Sequence, residues 1–230
     1  MTKFKKIIPA LCMLLISAVL MGTSTYAWFS MNTTVSAKGM SISASSDSTF
    51  LVIKEGSTFD ASTTTTEVTS SASAATLKPV APVSDTFANK TAVETAANWH
   101  YAYSNAPTSS AKDGEYTVCE NLTGYVANET FSIGLSNASG VTQSANNLRL
   151  SSITIPANSG IAVVVVCNDK ATVYRATNTS VSQDFGIKAT KDGAVVTVYY
   201  FIDGDNTNVY TNNIAALTGQ VSLKFTVDAA

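Results

Sequence analysis

Apolar and polar residues alternate with a period of two along much of the chain, which is the pattern of strands with one buried face. Val221, Leu223, Phe225 and Val227 fall on one side while Ser222, Lys224 and Thr226 fall on the other. Phe131, Ile133 and Leu135 alternate in the same way. Leu148, Leu150, Ile153 and Ile155 belong to a further strand whose phase slips near Ser152, and that slip predicts a β-bulge. Ile161–Cys167 and Ala194–Ile202 are apolar almost without interruption, so both are expected to be central strands buried on both faces. Pro156–Gly160 is a turn.

Nearer the start, Phe29, Met31, Thr33, Val35 and Ala37 alternate, Lys38-Gly39 breaks the run, and Met40, Ile42 and Ala44 resume it. Phe50–Ile53 reads as a buried strand. From Gly56 to Ala75 the chain is rich in Ser and Thr, with an uninterrupted tract at Thr63–Thr66. A long surface loop or frayed hairpin that contributes nothing to a core is expected there. Thr91–Asn98 is Ala-rich and predicts one short helix, after which Trp99–Tyr103 returns to β character. Many short strands separated by turn signals predict an all-β fold, a two-sheet sandwich formed as one domain over residues 28–230.

Composition sharpens this picture. The 230 residues include 14 basic and 16 acidic side chains, a formal charge of −2, with 13% charged and 45% hydrophobic residues. That length suffices for one domain with a real core. No basic stretch exists beyond the first six residues, which excludes a nucleic-acid binder that works by neutralising phosphates. His100 is the one histidine, which excludes two-histidine metal sites. Hydroxyl and amide side chains stand where charges usually would, a composition common in exported β proteins.

The N-terminus has the order of an export signal. Lys3, Lys5 and Lys6 precede an apolar run from Ile7 to Gly22, followed by Thr23-Ser24-Thr25-Tyr26-Ala27. The run is shorter than the roughly 20 residues of a spanning helix, although extended through Tyr26 to Phe29 it would serve as an uncleaved anchor. Small residues at Thr25 and Ala27 place cleavage between Ala27 and Trp28. Losing Lys3, Lys5 and Lys6 from the 14 basic groups leaves 11 against 16 acids, a charge of −5. Such a chain has no attraction to an anionic membrane surface, so a secreted protein in the extracellular matrix or at a cell surface is expected. The C-terminal Phe225–Ala230 carries no sorting-type motif with an apolar tail, so any attachment at that surface is expected to be non-covalent.

Few residues suggest chemistry. Cys12 leaves with the signal, while Cys119 and Cys167 either pair as a disulfide or stay as two buried thiols. His100 with either thiol is a conceivable hydrolase pair, but neither cysteine stands in a nucleophile context and a strand histidine accounts for it. Trp99, Tyr101 and Tyr103 share one face of a strand, where they would stack on a sugar or sit in the core. Asp203-Gly204-Asp205-Asn206 begins like a calcium loop but lacks its sixth-position glycine and closing acid, and a hairpin turn explains it. No catalytic residues, metal site or cofactor are expected. The Asn-x-Ser/Thr matches at Asn32, Asn89, Asn121, Asn128, Asn137 and Asn178 carry no weight in a chain so rich in these residues.

The leading end of the mature chain is the informative segment. Cleavage would leave Trp28-Phe29-Ser30-Met31 first, whereas termini are usually polar and frayed. Sheltering such side chains stabilises by roughly 1.5–3 kcal/mol each. The arm therefore either folds back as a strand of its own sandwich or adds to an open edge of a neighbour. In the second case Trp28, Phe29, Met31, Thr33 and Val35 form the intersubunit strand. Addition of that kind is head-to-tail and does not close, so it builds a filament.

The basic start, the apolar run and the junction Ser24-Thr25-Tyr26-Ala27-Trp28-Phe29-Ser30 resemble those of the TasA/CalY-like exported matrix proteins of Gram-positive bacteria. The junction is similar to those cut by the SipW-type signal peptidase. Met31–Val35 and Gly39–Ile42 resemble the first strands of such precursors, and Val196–Gly204 with Val221–Val227 their closing strands. The resemblance implies a jelly-roll-like sandwich, a signal peptidase as partner during export, and fibres built by donation of the N-terminal strand, residues 28–37. The Ser/Thr-rich insert Gly56–Ala75 departs from the compact pattern, and fibre formation comes to this chain by analogy.

Two functional expectations follow: a self-assembling structural subunit of surface or biofilm-matrix fibres, or a monomeric adhesin or carbohydrate-binding module using Trp99, Tyr101 and Tyr103. Both share one prerequisite. Intact-mass analysis of the exported protein should give a chain beginning at Trp28; a mass that retains residues 1–27 would establish the anchor instead.

Overall fold

The computed structural model of the protein describes residues 35–37, 40–45, 51–69, 75–101, 117–137, 144–157, 159–175, 180–206, 209 and 220–228, all within the unit Thr34–Ala230. Among them the strands are β1 (Val35–Ala37), β2 (Met40–Ser45), β3 (Leu51–Glu55), β4 (Glu67–Thr69), β5 (Ala75–Leu77), β6 (Pro79–Pro82) and β7 (Thr86–Phe87). Helix α1 (Lys90–Glu94) and a single 3₁₀ turn (Ala96–Asn98) come next. There follow β8 (Trp99–Tyr101), β9 (Val126–Leu135), β10 (Ser144–Ala145), β11 (Arg149–Thr154), β12 (Ile161–Cys167), β13 (Lys170–Arg175) and β14 (Ser180–Asp184). The last three are β15 (Ala189–Thr190), β16 (Ala194–Asp203) and β17 (Val221–Thr226).

The two uninterrupted apolar runs pair with each other. β12 and β16 run antiparallel from Ile161 opposite Ile202 to Cys167 opposite Val196. They lie in the middle of an eight-stranded sheet whose main order is β3-β9-β16-β12-β13-β7, with β6 pairing onto the end of β16 and β8 onto β6. A five-stranded sheet, β14-β11-β17-β2-β4, packs over one face. The protein is an all-β sandwich. Side chains of period two fill the layer between the sheets: Ile161, Val163, Val165 and Cys167 from β12, with Val196, Val198, Tyr200 and Ile202 from β16. Leu223, Phe225, Leu150 and Ile42 meet them from the smaller sheet.

The intervening residues of the same strands face a second core. Ala162, Val164 and Val166 of β12, with Tyr199 and Phe201 of β16, pack beneath Val80, Phe87, Val93, Trp99 and Cys119. A two-sheet expectation leaves this outer face open, but the segment from β6 to β8 roofs it. α1 starts at Asn89, whose Oδ1 accepts from the Ala92 N–H at 2.9 Å. It ends when Thr95 turns extended. Its apolar residue Val93 is buried, Trp99 Nε1 donates to Val93 O at 2.7 Å, and the Tyr199 hydroxyl donates to Glu94 Oε1 at 2.6 Å. Burial and the Glu94 carboxylate both push the Tyr199 hydroxyl pKa well up, so it stays a donor.

Local sequence accounts for the joints. Asn168 and Asp169 carry φ of 48° and 58°, the left-handed pair a two-residue hairpin between β12 and β13 requires. The expected bulge is present in β11: Leu150 opposes Phe225 and Ser152 opposes Lys224, leaving Ser151 as the extra residue. Its Oγ donates to Lys224 O at 3.0 Å. The insertion resets the phase so that Leu150 and Ile153 both reach the inner core. The Gly56–Ala75 stretch is less empty than expected. β4 pairs with β2 there, Val68 packs against the inner core, and Phe59 lies on the larger sheet.

Trp99 holds the roof to the sheet, with its ring centroid 5.5 Å from Phe87 and 5.0 Å from Phe201. Trp99→Ala should cost about 3–5 kcal/mol in urea unfolding, the range for emptying a large aromatic site. A loss below about 1 kcal/mol would show that the outer core does not stabilise the sheet.

Candidate functional site

The predicted intersubunit arm is only partly within reach. Ala27, Trp28, Phe29, Met31 and Thr33 lie outside the described residues. Its end is β1, which pairs antiparallel with β5 of the same chain: Val35 opposite Leu77, Ser36 opposite Thr76 and Ala37 opposite Ala75. This ladder is a separate two-stranded sheet and joins neither large sheet. At its described end, the arm therefore folds back.

Strand addition needs free backbone groups, so the sheet edges are the other half of the site. The smaller sheet ends at β4, three residues long, and at β14. β14 is stapled to the larger sheet: Lys170 Nζ donates to Asp184 O at 2.8 Å, and Thr172 Oγ1 donates to Gln183 Oε1 at 3.4 Å. The larger sheet ends at the two-residue β7 and at β3. Over β3 runs the Ser/Thr-rich segment, whose Thr65 O accepts the Ile53 N–H at 2.8 Å. The same segment continues into β4, so it joins the edges of both sheets on that side.

Of the aromatic triad, Trp99 takes the core position that was one of its two expected places. Trp99 is 0% exposed and belongs to the outer core, which corrects its reading as a glycan contact. Tyr101 is half-buried, its ring 4.9 Å from Tyr125, and its hydroxyl accepts from Glu120 N–H at 3.3 Å. Lys78 Nζ sits 5.6 Å from the Tyr125 ring. Tyr103 lies outside the described residues.

Cys119 and Cys167 are free, buried thiols. They lie on opposite faces of the larger sheet, Cys119 in the outer core and Cys167 in the inner one. The sheet itself stands between them, and the structure forms no disulfide from the pair. Burial raises the Cys119 pKa to about 11 and that of Cys167 to about 12, the opposite of what an attacking thiolate needs. His100 pairs with Val118, one residue out of phase with the Trp99–Cys119 pair. Neighbouring pairs in a ladder face opposite ways, so His100 and the Cys119 thiol are turned from each other.

Asp203 is nearly fully buried at the end of β16, and its two oxygens have partners. Oδ2 accepts from Arg175 Nε at 2.6 Å and Oδ1 from Asp205 N–H at 3.2 Å. Burial pushes the carboxyl pKa up, and the Arg175 guanidinium opposes that rise. Arg175 also reaches Asp85 in the roof. Arg175 thus takes the carboxylate that opens the calcium-like run, and no group of three or more His, Cys, Asp or Glu placed to hold a metal occurs among the described residues.

Sequence reasoning missed one element, the seat of Phe59. Gly134 and Gly193 continue the β9–β16 ladder as an opposed pair, and the Phe59 ring lies over both. A Cβ at Gly193 would fall 2.4 Å from the ring and one at Gly134 2.7 Å from it, so both positions require glycine. The signal available was a lone aromatic in a hydroxyl-rich loop and two glycines at strand positions.

Searches of protein-family models, curated proteins and solved structures find no match to this chain. Among the described residues no helix is long and apolar enough to cross a membrane. What defines the protein is its layered β-sandwich, with β1 and β5 paired as a separate two-stranded sheet.

The thiol geometry gives a direct check. Native mature protein at neutral pH should react negligibly with a thiol reagent, and unfolding without reductant should release two reactive thiols per chain. Absence of reactive thiols in the unfolded, unreduced chain would establish a bridge.

Proposed function

We propose that the chain is an exported structural subunit of surface or biofilm-matrix fibres, assembling with copies of itself through the strand at residues 28–37. The observation that carries this is the apolar alternation of Phe29, Met31 and Val35, with Trp28 ahead of it, at the leading end of the expected mature chain. Trp28, Phe29 and Met31 are ill suited to water, and exposed apolar surface of this kind drives association.

The described body supports the reading in two ways. Among the described residues, the strands from β2 onward build an inner and an outer core, a folded body on which an arm can dock. The described end of the arm is held by a three-residue ladder to β5. A ladder that short gives up few backbone pairings, so the arm can leave it for an open edge of a neighbouring copy. The resemblance to exported matrix proteins that polymerise by strand donation points the same way. The signal peptidase acts before assembly, and self-association after it.

The test is removal of the arm. Mature protein starting at Trp28 should give fibres in negative-stain images and a polymer in sedimentation, whereas protein starting at Lys38 should sediment as a folded monomer. Fibres of unchanged appearance and yield from the shorter chain would exclude strand donation as the mechanism.

A further inference from the structure

β3 is the outermost strand on its side of the larger sheet. The Gly56 N–H donates to Thr130 O at 2.8 Å, which continues the β3–β9 ladder and sets its phase. Residues 52, 54 and 56 therefore turn their backbone groups toward β9, and Leu51, Ile53 and Glu55 turn theirs outward. At the centre of that outward row, the Ile53 N–H is taken by Thr65 O. A loop thus occupies the place of the next strand.

Residues 56–66 are tied down by few contacts. Gly56, at φ +92°, turns the chain back. The Phe59 ring rests on the Gly134–Gly193 floor beside Val52, which is 2% exposed and opposes Gly134. Asn137 N–H donates to Ala61 O at 2.8 Å. Ser62 N–H and Oγ both donate to Asp60 Oδ1, shaping a local turn, and Lys54 Nζ stands 3.9 Å from Asp60 Oδ2. That ion pair is about half exposed and adds little. Phe59 is the large apolar side chain of the segment; the remainder is Gly, Ser, Thr, Asp and Ala.

We propose that residues 56–66 are a releasable strap over the β3 edge, and that its release opens this edge to the leading strand of a second copy of the chain. The inference rests on the fibre reading above and names its acceptor. Natural sheets blunt a pairing edge by covering it, and a cover anchored by one ring on two glycines opens locally at small cost. Beside β3, the Phe29, Met31 and Val35 face of an incoming arm would extend the inner layer next to Leu51 and Ile53, with Ser30, Asn32 and Thr34 on the other face together with Trp28. The alternatives suit a strand less well. β4 and β7 offer three and two residues, and β14 is bound across by Lys170 and Thr172.

The experiment locks and loosens the strap in the mature chain. A cysteine pair, Ala61→Cys with Asn137→Cys, joins two backbones already hydrogen-bonded. The oxidised form should assemble roughly tenfold or more slowly by light scattering and recover on reduction. Phe59→Ala should shorten the lag. Its Ile53 amide should exchange hydrogen roughly tenfold or more faster, while the Val164 amide of β12 keeps its protection. Should Phe59→Ala unfold, the locked pair decides alone. Assembly indifferent to the lock, or Ile53 exchange unchanged in folded Phe59→Ala, overturns the strap and leaves the fibre reading standing. Assembly of Phe59→Ala lacking residues 28–37 overturns the arm as occupant. A wild-type mature chain that never assembles removes the fibre reading and this inference with it.

Discussion

The pairing of β12 with β16, each buried on both faces, is the constraint from which the rest of the structure follows. Two adjacent strands with apolar side chains above and below cannot face water on either side. One face is met by the five-stranded sheet and the other by the roof of β6, α1 and β8. Every polar group carried into this double layer then needs a partner. Tyr199 is satisfied by Glu94 of α1, Trp99 by the Val93 carbonyl, and Asp203 by Arg175. These contacts tie the roof and the strand ends to the central pair, where hydrophobic burial alone would leave their positions loose.

A sheet of this width leaves edges, and the molecule closes them with what is nearest. Side chains of β13 bridge to β14 on one side, and the Ser/Thr-rich segment crosses from β3 to β4 on the other. The two closures differ in strength of attachment. Two regular strands hold the first, whereas a ring seated on two glycines and a few exposed hydrogen bonds hold the second. In the proposed assembly that difference would decide where a neighbour's strand enters.

Several residues that invite a chemical role in the sequence are occupied by structure. Trp99 is the centre of an aromatic core, and the two thiols are separated by the larger sheet and kept protonated by burial. The Asp203 carboxylate is spent on an arginine. In each case the energy of burying or pairing the group accounts for its presence.

Much of the fold was legible in the sequence because it depends on local period and turn chemistry. The central strands, the alternation of β17, the bulge in β11 and the short helix each require only neighbouring residues to be recognised. The same reasoning found the aromatic triad and the cysteines as candidates but did not place them, because period two says which residues share a face and not what covers it. Tertiary structure alone decided that the outer face carries a roof and that Cys119 and Cys167 lie on opposite sides of a sheet. It also decided that Phe59 finds its seat on glycines about 75 and 134 positions away in the chain. Contacts between segments so far apart are chosen by the packing of the whole, whereas alternation is written residue by residue along the chain.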